Sequence, residues 1–144
     1  MFRHCTTIDY STTNVETVFN SISQDTIKNF DQNMTLTTIA KYNDLVGRLI
    51  FYRTSSGNYG VMTITQTQST GINTYNMKFK YKTYRTDGAV LTHGEETVGG
   101  TFSFDLDTGT TSSSAQPLTD TKDFFLHNSI DIQPKNNAKF YSFP

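Results

Sequence analysis

The chain is expected to be mainly β: an antiparallel meander sheet, sandwich or small barrel, with one short N-terminal helix packed on it. Three observations predict this. Charged residues are only 17% of the 144 positions, against about a quarter in ordinary domains. Polarity comes instead from 25 Thr, 12 Ser and 11 Asn, and β-branched Thr suits the solvent face of a strand. From the mid-forties onward the apolar residues recur with period two, the repeat of a pleated strand.

Taken in order, Phe2 to Tyr10 reads as a short strand. The helical pattern follows, with Val15, Val18, Phe19 and Ile22 at i, i+3, i+4 and i+7. Thr13 and Glu16 fit a capping box before it. The pattern fades near Ser23 and restarts around residues 25–30. An apolar stripe this short must pack on something larger, most simply a sheet face.

Residues 45–54 read as a strand, 55–58 as a turn and 59–67 as the returning strand, since Gly57 and Asn58 tolerate the positive φ of a hairpin loop. A loop over 69–73 leads to a strand over 74–85. There Tyr75, Met77, Phe79 and Tyr81 alternate with Asn76, Lys78, Lys80 and Lys82. Asp87-Gly88 is a strong two-residue hairpin signal. Phe102, Phe104 and Leu106 share one face of a strand closed by Asp107-Thr108-Gly109. Residues 108–114 read as an exposed loop. Phe124, Leu126, Ile130 and Ile132 suggest one interrupted strand ended by Pro134, and 139–143 a last short one.

Leu49-Ile50-Phe51-Tyr52 is apolar on both faces and so is expected to be central and covered twice. The Lys78–Lys82 strand is apolar on one face only, so its lysine face is expected in water. A second copy of the chain is one way to cover the doubly apolar strand.

Chemistry-bearing clusters are few. His93-Gly94-Glu95-Glu96 joins an imidazole to two carboxylates in an expected loop, a set that could bind a divalent ion or share a proton. It lacks the helical H-E-x-x-H spacing, and a solvated loop is the plainer reading. Asp105, Asp107 and Gly109 form D-x-D-x-G, but position 12 of an EF-hand would be Gln116 rather than Glu, so a strand ending in a turn accounts for them. Lys78, Lys80, Lys82 and Arg85, with Tyr84 among them, could touch phosphate. At a net charge of −1, a solvated face is favoured over a nucleic-acid footprint. His4 beside Cys5 cannot act as a dyad through adjacency, because neighbours in a strand point apart. No nucleophile elbow, dinucleotide fingerprint or phosphate loop occurs. The single cysteine, Cys5, excludes an internal disulfide framework.

The expectation is therefore one domain over residues 1–144, not an enzyme, with no catalytic residue, metal or cofactor. Asn- and Thr-rich loops on a β scaffold suit a polar ligand such as a carbohydrate, because amides and hydroxyls pair with sugar hydroxyls and Tyr rings stack on sugar faces. The residues expected to carry such contacts are Asn58, Tyr59, Tyr84, Arg85 and Asp87. Two other readings stand beside this one. The first is a self-assembling coat, tail or filament subunit, a homo-oligomer. The second is a small metal-assisted hydrolase using His93, Glu95 and Glu96. No run approaches the ~18 apolar residues of a spanning helix, and the first residues carry no secretory leader. A cytoplasmic setting or an assembled particle is expected on that basis.

Overall fold

The computed structural model describes residues 15–37, 46–71, 74–99, 102–112, 122–126 and 132–143. Among the described residues, two short helices, α1 (Val15–Ser21) and α2 (Gln24–Lys28), precede a 3-10 turn at Asp31–Asn33. Nine strands follow among the described residues: β1 (Leu49–Arg53), β2 (Tyr59–Gly71), β3 (Thr74–Tyr84), β4 (Val90–Gly99), β5 (Ser103–Asp105), β6 (Thr110–Ser112), β7 (Phe124–Leu126), β8 (Ile132–Pro134) and β9 (Lys139–Ser142). They form two antiparallel sheets, of order β4-β3-β2-β1-β9 and β6-β5-β7-β8.

The larger sheet is the middle of three layers. Strand alternation sends Ile50, Tyr52, Met62, Ile64, Met77, Phe79 and Tyr81 towards the smaller sheet, where they bury against Phe104, Leu106, Phe124, Leu126 and Ile132. The opposite side chains, Leu49, Phe51, Val61 and Tyr84, bury against Phe19, Ile27 and Met34 of the helical layer. Both expected forms of cover, a sandwich partner and a packed helix, are thus present on opposite faces. The doubly apolar β1 is an interior strand, between β2 and the β9 edge, and is covered on both faces within the chain.

Local chemistry explains the elements. Helices of seven and five residues are too short to persist alone, so their stability comes from burying Phe19 and Ile27. Ser23 caps α2, its hydroxyl accepting the Thr26 N–H. Gly60 is a packing requirement, because a Cβ there would sit 2.3 Å from Cζ of Tyr52. The Tyr52 ring therefore lies across β2 opposite its register partner Gly60. Its hydroxyl donates to Thr83 Oγ1 at 2.6 Å, since the Thr83 hydrogen is itself given to the Leu106 carbonyl at 2.6 Å. Burial pushes the Tyr52 pKa well above its ordinary value.

Several sequence expectations are corrected. β2 runs on to Gly71, so its pairing with β3 continues, with a register shift, into the segment expected to be a loop. Residues 124–134 hold two strands, β7 and β8, which pair with each other antiparallel. Local alternation is the same for one broken strand or a hairpin, so only pairing tells them apart. Part of the expected exposed loop, Thr110–Ser112, is strand β6 paired to β5. His93-Gly94-Glu95-Glu96 lies inside β4, not in a loop. The lysine face of β3 lies beside α1 and not simply in water, with Lys80 Nζ donating to Glu16 Oε2 at 2.9 Å. The expected strand at Phe2–Tyr10, Thr13 of the capping box, Cys5 and His127 lie outside the described residues.

Candidate functional site

The β3–β4 hairpin forms a polar corner of the molecule. Its turn closes through Arg85 N–H to Ala89 O (2.7 Å) and Gly88 N–H to Arg85 O (2.9 Å). Asp87 Oδ1 accepts the Ala89 N–H at 2.9 Å, and Gly88 takes φ +91°, a conformation that L side chains rarely adopt. The Asp-Gly pair makes the turn, but within a three-residue loop, Thr86-Asp87-Gly88, rather than the expected two-residue one, because only Gly88 takes positive φ.

Facing this turn is the corner between α1 and α2. Two hydrogen bonds of opposite sense lock them together. Tyr84 Oη donates to the Ile22 carbonyl at 2.6 Å, and Gln24 Nε2 donates to the Arg85 carbonyl at 3.0 Å. Between them lies an open groove of about 530 Å³, lined chiefly by Ser21, Ser23, Gln24, Asp25, Thr86 and Asp87, with Tyr84. Its lining is hydroxyl, amide and carboxylate, so it offers both donors and acceptors.

Further along α1 is a second open groove of about 680 Å³, lined by Phe19, Asn20, Lys80, Lys82, His93 and Glu95 among others. Register sets its chemistry, because Lys80 lies opposite Glu95 and Lys82 opposite His93 across β3–β4. The Glu16 carboxylate, and secondarily Glu95, hold the Lys80 ammonium above its ordinary pKa. Lys82 Nζ reaches the Asn20 carbonyl at 3.4 Å and lies 5.5 Å from the Phe19 ring centre. Both cations are thus engaged with α1, which leaves no continuous lysine stripe for phosphate.

Among the described residues, one set of three metal-ligating side chains comes within range of a single ion. Asp105, Asp107 and Asp123 each offer an oxygen within 4.8 Å of the others. These oxygens already carry structure. Asp123 accepts the Ser55 and Leu106 N–H groups, both at 2.6 Å. Asp105 accepts the Asp107 and Thr108 N–H groups, and Asp107 accepts Asn58 Nδ2 at 2.9 Å. Burial, opposed by the two N–H donors and assisted by the neighbouring carboxylates, pushes the Asp123 pKa from 3.8 to about 7. The expected strand-to-turn role of Asp105 and Asp107 is what they perform. Asp123 is the member that spacing could not supply.

No family model, curated protein or solved structure matches the chain. The site therefore has to be read from its own geometry.

Of the five residues expected to bind a ligand, Tyr84 and Asp87 line the polar groove and Arg85 joins it through its carbonyl. The Arg85 guanidinium sits 3.9 Å from Asp87 Oδ1. Tyr59 pairs with Tyr84 in register but lies beneath the Arg53 guanidinium, 5.8 Å from its ring centre. Burial and Asp31 raise the Tyr59 hydroxyl pKa. Asn58 is turned to Asp107 in the smaller sheet's turn. Two of the five thus line the groove, Arg85 borders it through a carbonyl that Gln24 occupies, and two lie elsewhere. Ser21, Ser23, Gln24 and Asp25 were not foreseen as partners of the hairpin, because more than sixty positions separate them from it.

Proposed function

We propose that the protein is a non-enzymatic recognition module that takes a polar, hydroxyl-rich ligand, such as a carbohydrate, in the groove between the α1–α2 corner and the β3–β4 turn. The observation that carries this reading is the pair of hydrogen bonds, Tyr84 to Ile22 and Gln24 to Arg85, that fixes both walls of a polar groove. Hydrogen bonds that tie the two walls together before binding reduce the entropy lost when a ligand enters. Asp25 and Asp87 supply carboxylate acceptors for vicinal hydroxyls, and Ser21, Ser23 and Thr86 supply adaptable hydroxyls. The Tyr84 ring is only 7% exposed and its hydroxyl is engaged, so the ligand is held by hydrogen bonds rather than by stacking.

The test is nuclear magnetic resonance titration of the full chain with a panel of neutral oligosaccharides. Amide shifts confined to residues 21–25 and 84–88, and abolished in an Asp25→Ala, Thr86→Ala variant that keeps its fold, are expected. No saturable shift with any member, or shifts confined to another surface, would overturn the reading.

A further inference from the structure

The larger sheet has two edges, and they are treated differently. The β9 edge has four residues and is covered by Thr35, which exchanges both backbone hydrogen bonds with Phe140, at 2.9 and 3.0 Å. The β4 edge has ten residues and, among the described residues, pairs only with β3. A long free edge is a template for another strand. β4 contains neither Lys nor Pro, the residues that usually discourage such pairing. Its one register shift against β3 lies at the hairpin end, where Leu91 is left without a partner. From Thr92 to Glu96 the strand is regular, with His93 and Glu95 exposed on one face.

The geometry points to this edge as a homodimer interface, formed by antiparallel pairing of β4 with β4 of a second copy about a two-fold axis at Gly94. Symmetry and side-chain period restrict the choice. A two-fold axis along the sheet normal keeps the helical layers of both copies on one side, so it must be centred on a residue rather than between residues. Centred on Gly94, His93 of each copy faces Glu95 of the other, and Thr92 faces Glu96. An imidazole N–H then meets a carboxylate twice, by symmetry. Centred on Glu95, two carboxylates would face each other, a destabilising pair. Centred on His93, Glu95 would face the irregular Leu91 position. Only the Gly94 register matches donor to acceptor and leaves the least bulky residue on the axis. The second copy is therefore the occupant that the edge itself specifies, and pairing doubles the five-stranded sheet. The interface does not involve the polar groove, so it stands or falls independently of the ligand reading.

Sedimentation equilibrium of the full chain, across a concentration series, tests this. The expected result is a reversible doubling of the 16.3 kDa chain mass. His93→Glu places Glu opposite Glu and Glu95→Lys places Lys opposite His. Each is expected to weaken association about tenfold, because two symmetry-related favourable pairs change sign or vanish. The double variant His93→Glu, Glu95→Lys restores opposite charges and is expected to recover most of the association. Both positions are exposed, so circular dichroism should show all three variants folded. A monomer at every concentration up to about millimolar overturns the interface. A dimer indifferent to the single variants, or one the double variant fails to rescue, overturns it equally.

Discussion

The two faces of the larger sheet are built from the same strands by the same alternation, yet they do different work. The face towards the smaller sheet is dry. Phe79 packs edge-on to Phe104 and Phe124, with ring centres 5.1 and 5.8 Å apart, and sits 5.9 Å from Tyr81. Polar groups on that side include Tyr52, Thr83 and Thr92, whose hydroxyls are hydrogen-bonded and converge on the Leu106 carbonyl. The face towards the helices is only partly dry. Phe19 and Tyr84 are buried there, but Lys80, Lys82 and Glu16 share the surface with them. Two sheets can meet over a continuous apolar plane. Among the described residues, two helices of seven and five residues and the segment that follows them to Met34 pack on this face, and the open grooves lie along their margin. Stability is concentrated on one side and surface chemistry on the other.

The sharpest way to break this contrast is to truncate one aromatic ring on each side. Phe79→Ala on the dry side is expected to cost about 3–5 kcal/mol, read by urea unfolding, because a fully buried ring leaves a cavity among rigid neighbours. Phe19→Ala on the helical side should cost about 1–3 kcal/mol, since the short helix can settle into the space. Equal losses would show that the helical layer is as tightly packed as the sandwich.

The next effect comes from Asp123, buried at the margin of the dry side. Its carboxyl titrates near 7 in the folded chain against 3.8 ordinarily. Between those values the folded state holds a proton that the unfolded state has lost. The contribution is thus full below about pH 4 and falls away as pH rises through 7. Unfolding midpoints at pH 5 and pH 8 should therefore differ, with pH 5 the more stable as far as this group is concerned. Asp123→Asn should flatten the difference, and an unchanged slope in that variant would assign it to other groups.

The smallest effect is expected on the wet side. Breaking the Lys80–Glu16 pair with Glu16→Gln should leave the urea midpoint within experimental error, because both partners are solvated and the pair is screened by salt. A clear loss would mean that this contact anchors α1 as firmly as Phe19 does.

Much of the hairpin side of the candidate site was legible. Asp87-Gly88 predicted its turn by the backbone conformation it permits, and the alternation of β3 predicted that Tyr81 and Lys82 point apart. The helical wall was not, because Ser21, Ser23, Gln24 and Asp25 carry no local signal of meeting residues 84–88. Asp123 was missed for the same reason. It lies far along the chain from Asp107, with a different strand between them, and joins it only when β7 pairs with β5.

The sequence by itself determined many, but not all, of the local elements. Period two from β1 onward, period 3.6 at Val15–Ile22 and the turn chemistry at Gly57 and Gly88 each depend on residues within a few positions of one another. Only the tertiary structure decided how those elements share out their faces. It paired β7 with β8, brought β9 back beside β1, laid α1 along the lysine face of β3 and left β4 at an edge. The reason is that alternation says which side chains share a face but not what covers it. Cover is settled by burying the apolar surface of all the strands together, and no short stretch of chain contains that information.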